Sequence, residues 1–312
     1  MEYKYIFGPV RSRRLGISLG VDMVQFKTCT LDCIYCECGA TTQLTRERKE
    51  YAPAEDVISE LDNYLSQNPK LDFVTFGGSG EPTLNSGLGQ IVSYLKKNHP
   101  ERKLALLTNS TFFHIPEVRK EVIPCDLILP SLDAVSDDVF DKINRPAAHV
   151  ECAVLIEGLA SLSREMKGQM WLEVFIVPGV NDTDEELKKF KDAVTRINPT
   201  RVQLNSLDRP GTCSWLTPAT PQELSEIASR FQPLPVEIIS RNLPETPLEA
   251  LSDKESTLLS LLKRRPSTLE DLSVSIGTTI NNVQKMISSL KPEAGITTKE
   301  VEGRIYFCVN SK

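Results

Sequence analysis

KTCTLDCIYCEC, residues 27 to 38, sets three thiols, Cys29, Cys33 and Cys36, at C-x3-C-x2-C spacing on one short loop. Three thiolates so close together need a common partner. They prefer soft metals, and a loop with three such ligands suits three irons of a cubane whose fourth iron stays open to another ligand. Zinc is the competing reading, with Cys38 or a remote residue completing four ligands.

The compartment expected for the chain bears on its eight cysteines. No apolar run approaches the roughly 18 residues that a membrane span needs. The start, MEYKYIFGPVRSRR, lacks the apolar stretch and small-residue cleavage site of a secretory signal. A cytoplasmic location is expected, and a reducing cytosol favours metal ligation over structural disulfides. Cys125, Cys152 and Cys308 sit in apolar or helical context and read as small core residues. His99, His114 and His149 show no metal spacing.

Outward from the cysteine loop the chain follows one grammar. Short apolar runs at 16–24, 71–78, 103–109, 126–133, 170–179 and 201–208 alternate with amphipathic stretches of helical period. Runs such as DLILP suit strands covered on both faces. Pro53 opens AEDVISELDNYL with acidic residues in its first turn, and NDTDEELKKFKDAV (181–194) passes from acidic to basic, as the helix dipole prefers. The fold class expected is α/β: a partial, open (β/α)6 barrel with its chemistry at the carboxyl ends of the strands.

A second motif ends the second of these strands. Gly77-Gly78-Ser79-Gly80-Glu81-Pro82 combines glycines, which permit close backbone approach by a ligand, with a carboxylate able to anchor an amino group. It stands at the same rim as the cysteines. Together the two motifs, with residues 5 to about 240, resemble the radical S-adenosylmethionine superfamily. Tyr35 corresponds to the aromatic residue before the last cluster ligand. GPVRSRRLGISLGVD, GSGEPTL and Ile143-Asn144-Arg145-Pro146 are similar to the group that includes the wyosine-synthase-like proteins.

The resemblance implies a [4Fe–4S] cluster on Cys29, Cys33 and Cys36, and S-adenosylmethionine chelated at the open iron. It also implies an external one-electron donor of flavodoxin or ferredoxin type and reductive cleavage to a 5′-deoxyadenosyl radical. Gly77, Gly78, Gly80 and Glu81 would hold the cofactor's amino group, and Cys38 would not be a fourth ligand. Polar residues at strand ends are further candidates for the mouth: Thr108 and Asn109, Ser131 and Asp133, Glu173, Gln203 and Asn205, with Asn109 and Ser131 foremost. Cys213, in the Pro/Gly loop DRPGTCSWL after the sixth strand, is a candidate catalytic thiol. Arg11, Arg13 and Arg14 read as a solvated turn or as an anion-binding group. No cysteine precedes Cys29, so a second N-terminal cluster is not expected, and no flavodoxin-like domain is read in the sequence.

Residues 1–240 form the barrel, 241–252 a proline-rich linker and 253–312 a small domain of three helices and a hairpin turning at Glu302-Gly303, which spells a winged helix–turn–helix. Net charge is −6, and residues 251–312 carry nine Lys and Arg against seven Asp and Glu, which leaves −8 on residues 1–250. So acidic a barrel argues against a broad nucleic-acid grip, and TINNVQKMISSL offers Lys285 as its only cation, which argues against duplex DNA. The substrate classes left open are a small molecule, a peptide or protein, and RNA, as in a tRNA-modifying enzyme. A non-catalytic iron–sulfur transcriptional sensor is the alternative from another class.

Overall fold

The computed structural model describes residues 3–24, 26–239, 254–301 and 303–309. The expected linker at 241–252 lies outside the described residues.

The chain opens with an antiparallel pair, β1 (Ile6–Ser12) and β2 (Gly16–Val21). β1 escapes the sequence reading because its register shifts between Phe7 and Val10, around Gly8-Pro9, which breaks the alternation that marks a strand. The loop after β2 contains β3 (Thr28–Cys29) paired with β4 (Gln43–Leu44), both two residues long. Then come α1 (Ala54–Leu65), β5 (Phe73–Phe76), α2 (Leu88–Asn98), β6 (Leu104–Thr108), α3 (Pro116–Val122), β7 (Leu127–Pro130), α4 (Asp137–Asn144), α5 (Cys152–Glu165), β8 (Gln169–Phe175), α6 (Asp184–Ile197), β9 (Arg201–Asn205), α7 (Pro221–Arg230) and β10 (Val236–Ile238).

The main sheet has the order β1-β2-β5-β6-β7-β8-β9-β10, parallel throughout except for β1 on β2. The six expected strands are its centre. The sheet must curl. Four strand spacings separate β2 from β8, about 19 Å in a flat sheet, yet Arg14, in the turn before β2, forms an ion pair with Glu173 of β8. Arg13 likewise reaches Asp208 beyond β9 at 3.0 Å.

All four residues of β7 are buried, as its continuous apolar run foretells for a strand covered on both faces. Helices cover the sheet through one apolar stripe each. α1 buries Ala54, Val57, Leu61 and Leu65 at helical spacing behind Pro53, with Glu55 and Asp56 in its first turn. α6 is capped by Thr183, whose hydroxyl accepts from Glu186 N, and it ends at Asn198 in the left-handed conformation. No helix among the described residues is long and apolar enough to cross a membrane.

The C-terminal body contains α8 (Lys254–Arg264), α9 (Leu269–Ile276) and α10 (Ile280–Ala294), followed by the antiparallel hairpin β11 (Ile296–Val301) and β12 (Arg304–Val309). It buries its own cluster, including Leu258, Leu262, Leu272, Ile276 and Val283, and Val10 of β1 packs against that cluster. Cys308 is half-buried on the hairpin beside Thr297, not in a core, whereas Cys125 and Cys152 are buried as expected.

Rim loops are tied down by buried amides. Asn181 is fully buried; its Oδ1 accepts from Val177 N (2.8 Å), and its Nδ2 donates to Asp133 O (2.8 Å) and Phe175 O (2.7 Å). Asn181→Ala strands three buried backbone groups at once. Urea unfolding of this variant should show a loss of about 3 kcal/mol, with an unchanged m-value.

Candidate functional site

The cysteine loop is held from three sides. Within it, Lys27 O accepts from Thr42 N and Gln43 N, and Cys29 O from Thr45 N. From α4 and beyond, Asn144 O accepts from Asp32 N, Ile143 O accepts from Ile34 N, and Leu31 bridges to Pro146. The 143–146 stretch thus serves as the backing of the loop. From the loop after β9, Thr212 N and Cys213 N both donate to Ile34 O at 3.1 Å, and Thr212 Oγ1 donates to it at 2.7 Å.

Each candidate ligand accepts a side-chain N–H from a different residue. Asn109 Nδ2 donates to Cys29 Sγ (3.5 Å), Asn144 Nδ2 to Cys33 Sγ (3.3 Å) and Lys27 Nζ to Cys36 Sγ (3.0 Å). Such donors favour thiolate over thiol. Burial works the other way on two of the three, pushing Cys29 up to about 12 and Cys33 also upward. Cys36 is lowered, first because Cys38 donates a hydrogen bond to it and then because Lys27 stands beside it. Among the described residues no three His, Cys, Asp or Glu side chains converge on one point as a single ion requires. A cubane asks for something else, since each thiolate takes its own iron.

The glycine turn owes its composition to close packing. A Cβ on Gly78 would lie 2.3 Å from Asp22 Cγ, and one on Gly80 would lie 2.0 Å from the carbonyl oxygen of Thr28, the residue before the first cysteine. Gly80 therefore lets the cysteine loop lie on the turn. Gly77 lies tightly against Leu107, whose Cβ would be 3.2 Å from a Cβ placed on the glycine. Asp22, which the sequence reading passed over, accepts from Ser79 N (3.2 Å) and Ser79 Oγ (2.9 Å).

Glu81 is 2 % exposed. Its Oε1 accepts from Thr83 N (3.0 Å), Thr83 Oγ1 (2.6 Å) and Thr108 Oγ1 (2.7 Å), and its Oε2 from Asn109 N (2.7 Å). Burial raises its pKa against those four bonds. With about four lone-pair sites on a carboxylate, Oε2 retains one for a further donor. Asn109 connects the two motifs: its N–H meets Glu81 and its amide meets Cys29 and Thr30.

The remaining candidates separate. Tyr35 stacks on Phe175 (centroids 3.8 Å apart) and donates its hydroxyl to Asp133, so it fastens the loop to the strand ends. Asp133 also receives Asn144 Nδ2 (2.8 Å) and Phe175 N (3.1 Å), while burial pushes its pKa up to about 6. Ser131 is half-buried at the rim, bridged to Glu173. Gln203 donates to Glu237 on β10, Asn205 accepts from Ser206 N, and Glu173 holds Arg14; all three are engaged within the fold.

Cys213 lies outside the cavity of about 230 Å³ that Gly77 and Gly78 border, packed with Ile34, Ile143 and Leu216 and accepting from Arg145 Nη2 at 3.5 Å. Cys38 is the loop thiol that lines the cavity instead. Lys27 and Asn144 are the side chains beside the thiols to which the sequence reading gave no role. A lysine two residues before the first cysteine, and a polar residue inside the apolar face of α4, are the signals that mark them.

A family model described as the radical SAM superfamily matches residues 23–191. The chain is 31% identical over 319 residues to a protein named GTPase Obg from Brachyspira hyodysenteriae, a match that covers 99% of this chain and 46% of that protein, so the chain spans less than half of that relative. It is 32% identical over 306 residues to a UPF0026 protein of Helicobacter pylori, with 97% of each covered. A radical SAM methyltransferase from Sphaerobacter thermophilus shares the fold, with a TM-score of 0.56 at 17% identity over 72% of this chain and 67% of that one. The chain belongs to the radical SAM superfamily of enzymes.

Proposed function

We propose that the chain is a radical enzyme that holds a [4Fe–4S] cluster on Cys29, Cys33 and Cys36 and receives S-adenosylmethionine at the neighbouring rim formed by Gly77, Gly78, Glu81, Asn109 and Ser131. The observation that carries this reading is the separate N–H donor to each thiol, from Asn109, Asn144 and Lys27. Three thiols spread over one loop, each with its own donor, fit a three-cornered ligand set better than the single point that zinc needs. When bound, the cluster supplies the electron that splits S-adenosylmethionine to a 5′-deoxyadenosyl radical.

The chain's own contribution is placement and exclusion of solvent. The Glu81 carboxylate fixes the turn beside Thr108 and Asn109 and keeps one acceptor site on Oε2 for an ammonium group. Tyr35, Asp133 and Asn144 brace the loop from behind, and the C-terminal body covers the mouth. An external one-electron donor of the flavodoxin or ferredoxin type completes the scheme.

We read the C-terminal body as a winged helix used as a cover. On the exposed face of α10, Asn281, Asn282, Gln284 and Lys285 provide one cation among them, too few for a DNA-reading helix or a transcriptional sensor. The likeness to wyosine-synthase-like proteins bears on ancestry and keeps a tRNA-modifying role as the second reading.

Anaerobic reconstitution should give about four irons and about four sulfides per chain. Reduction with S-adenosylmethionine present should then release 5′-deoxyadenosine. Cys29→Ser, Cys33→Ser and Cys36→Ser should each lose the iron and the product, whereas Cys38→Ser should keep its iron. A colourless protein with zinc and no sulfide would overturn the reading.

The Asn144 amide should also be visible in the cluster's potential, because a hydrogen bond to sulfur favours the more negative, reduced form. In a redox titration followed by electron paramagnetic resonance, Asn144→Ala should shift the midpoint to a more negative value. An unchanged midpoint would separate this amide from the cluster.

A further inference from the structure

Between the curled sheet and the C-terminal body lies a cavity of about 230 Å³, bordered on one side by Gly77, Gly78 and Cys38 of the two site motifs. Its other walls are cationic. Arg11, Arg13 and Arg14 come from β1 and its turn, Arg209 from the loop after β9, and Arg264 and Arg265 from the end of α8. Six arginines on one cavity are unexpected in a barrel of net charge −8, and their charge is concentrated at the place where a substrate would meet the rim.

The arginines are positioned by carboxylates, with donors left over. Arg13 pairs with Asp208 (3.0 Å), Arg14 with Glu173, and Arg264 with Asp22 (3.4 Å). Arg209, 5 % exposed, pairs with Glu37 (3.0 Å), Asp208 (3.4 Å) and Asp271 of α9 (3.4 Å). Even so, Nε of Arg209 is buried without a hydrogen-bond partner, and Nε of Arg264 has only its long ion-pair contact with Asp22. Arg265 stands near Glu37 and Arg209, and burial together with Arg209 lowers its pKa, the direction expected of a cation short of negative charge. A buried N–H left without a partner is costly, more so for a charged group, so donors kept this way call for an acceptor from outside the chain.

The geometry identifies that acceptor. One guanidinium satisfies a carboxylate through its two oxygens, whereas several converging guanidiniums match the three acceptor oxygens and higher charge of a phosphate. The space is closed on one side by α8 and α9, and its volume suits a small molecule rather than a polymer strand. We propose that this cavity is the substrate pocket of the radical enzyme described above and that its substrate is a small molecule carrying a phosphate group, held by Arg209 of the barrel together with Arg264 and Arg265 of the C-terminal body. The pocket rests on that functional reading for its purpose but not for its test. Because its cations come from both bodies, the docked C-terminal body is part of the binding site and not only a cover.

The test is calorimetric titration of inorganic pyrophosphate into the anaerobic, cluster-loaded full-length protein, with 5′-deoxyadenosine formation by the wild type scored separately. Saturable binding is expected, weakened about tenfold or more in Arg265→Gln and in Arg264→Gln. It should persist in Arg201→Gln, whose guanidinium pairs with Glu237 outside the pocket. Arg265→Gln sacrifices no ion pair found among the described residues, and its thermal unfolding midpoint should match the wild type; Arg265→Lys should restore part of the affinity. A single-stranded RNA of about ten nucleotides should not displace the pyrophosphate. Absence of binding to the wild type, equal binding by the variants, or displacement by the RNA would overturn the proposal. Arginine-dependent binding without any 5′-deoxyadenosine would instead keep the pocket and remove the enzyme reading.

Discussion

One buried carboxylate sets the register of the whole rim. Glu81 has no solvent to satisfy it, so its oxygens must be met from within, and the donors that meet them belong to the turn after β5 and the end of β6. Removing those donors would leave a desolvated charge, which a fold tolerates only at high cost. The requirement fixes Asn109, and Asn109 in turn presents its amide to Cys29. The cysteine loop, the glycine turn and the third parallel strand of the sheet are thereby held in one geometry before any cofactor arrives.

The same economy governs the other side of the loop. Asp133 gathers Tyr35, Asn144 and the N–H of Phe175, and Asn144 reaches past it to Cys33. Polar groups that look isolated in the sequence prove to be members of small hydrogen-bonded networks. Networks of this kind rigidify a site because each member orients the next.

The curl of the sheet gives the arginines their meaning. Read along the chain, Arg13 and Arg14 are a basic turn. In the fold they cross the open side of the sheet to Asp208 and Glu173, and the C-terminal body brings Arg264 and Arg265 to the same space through contacts with Asp22 and, by way of Arg209, Asp271.

The sequence by itself determined the parallel α/β sheet, the helices with their caps, and the two motifs, because hydrophobic period, capping residues and cysteine spacing are local properties that need only a few neighbouring residues to be read. It could not show β1, whose alternation is broken by the shift around Gly8-Pro9. Nor could it tell Cys38 from Cys213 as the thiol at the cavity, or assign Lys27 and Asn144 to the sulfurs. Those distinctions were decided only by tertiary structure, because they depend on which residues, up to 111 positions apart for Cys33 and Asn144, are brought within hydrogen-bond reach when a curled sheet and a second body close over one space.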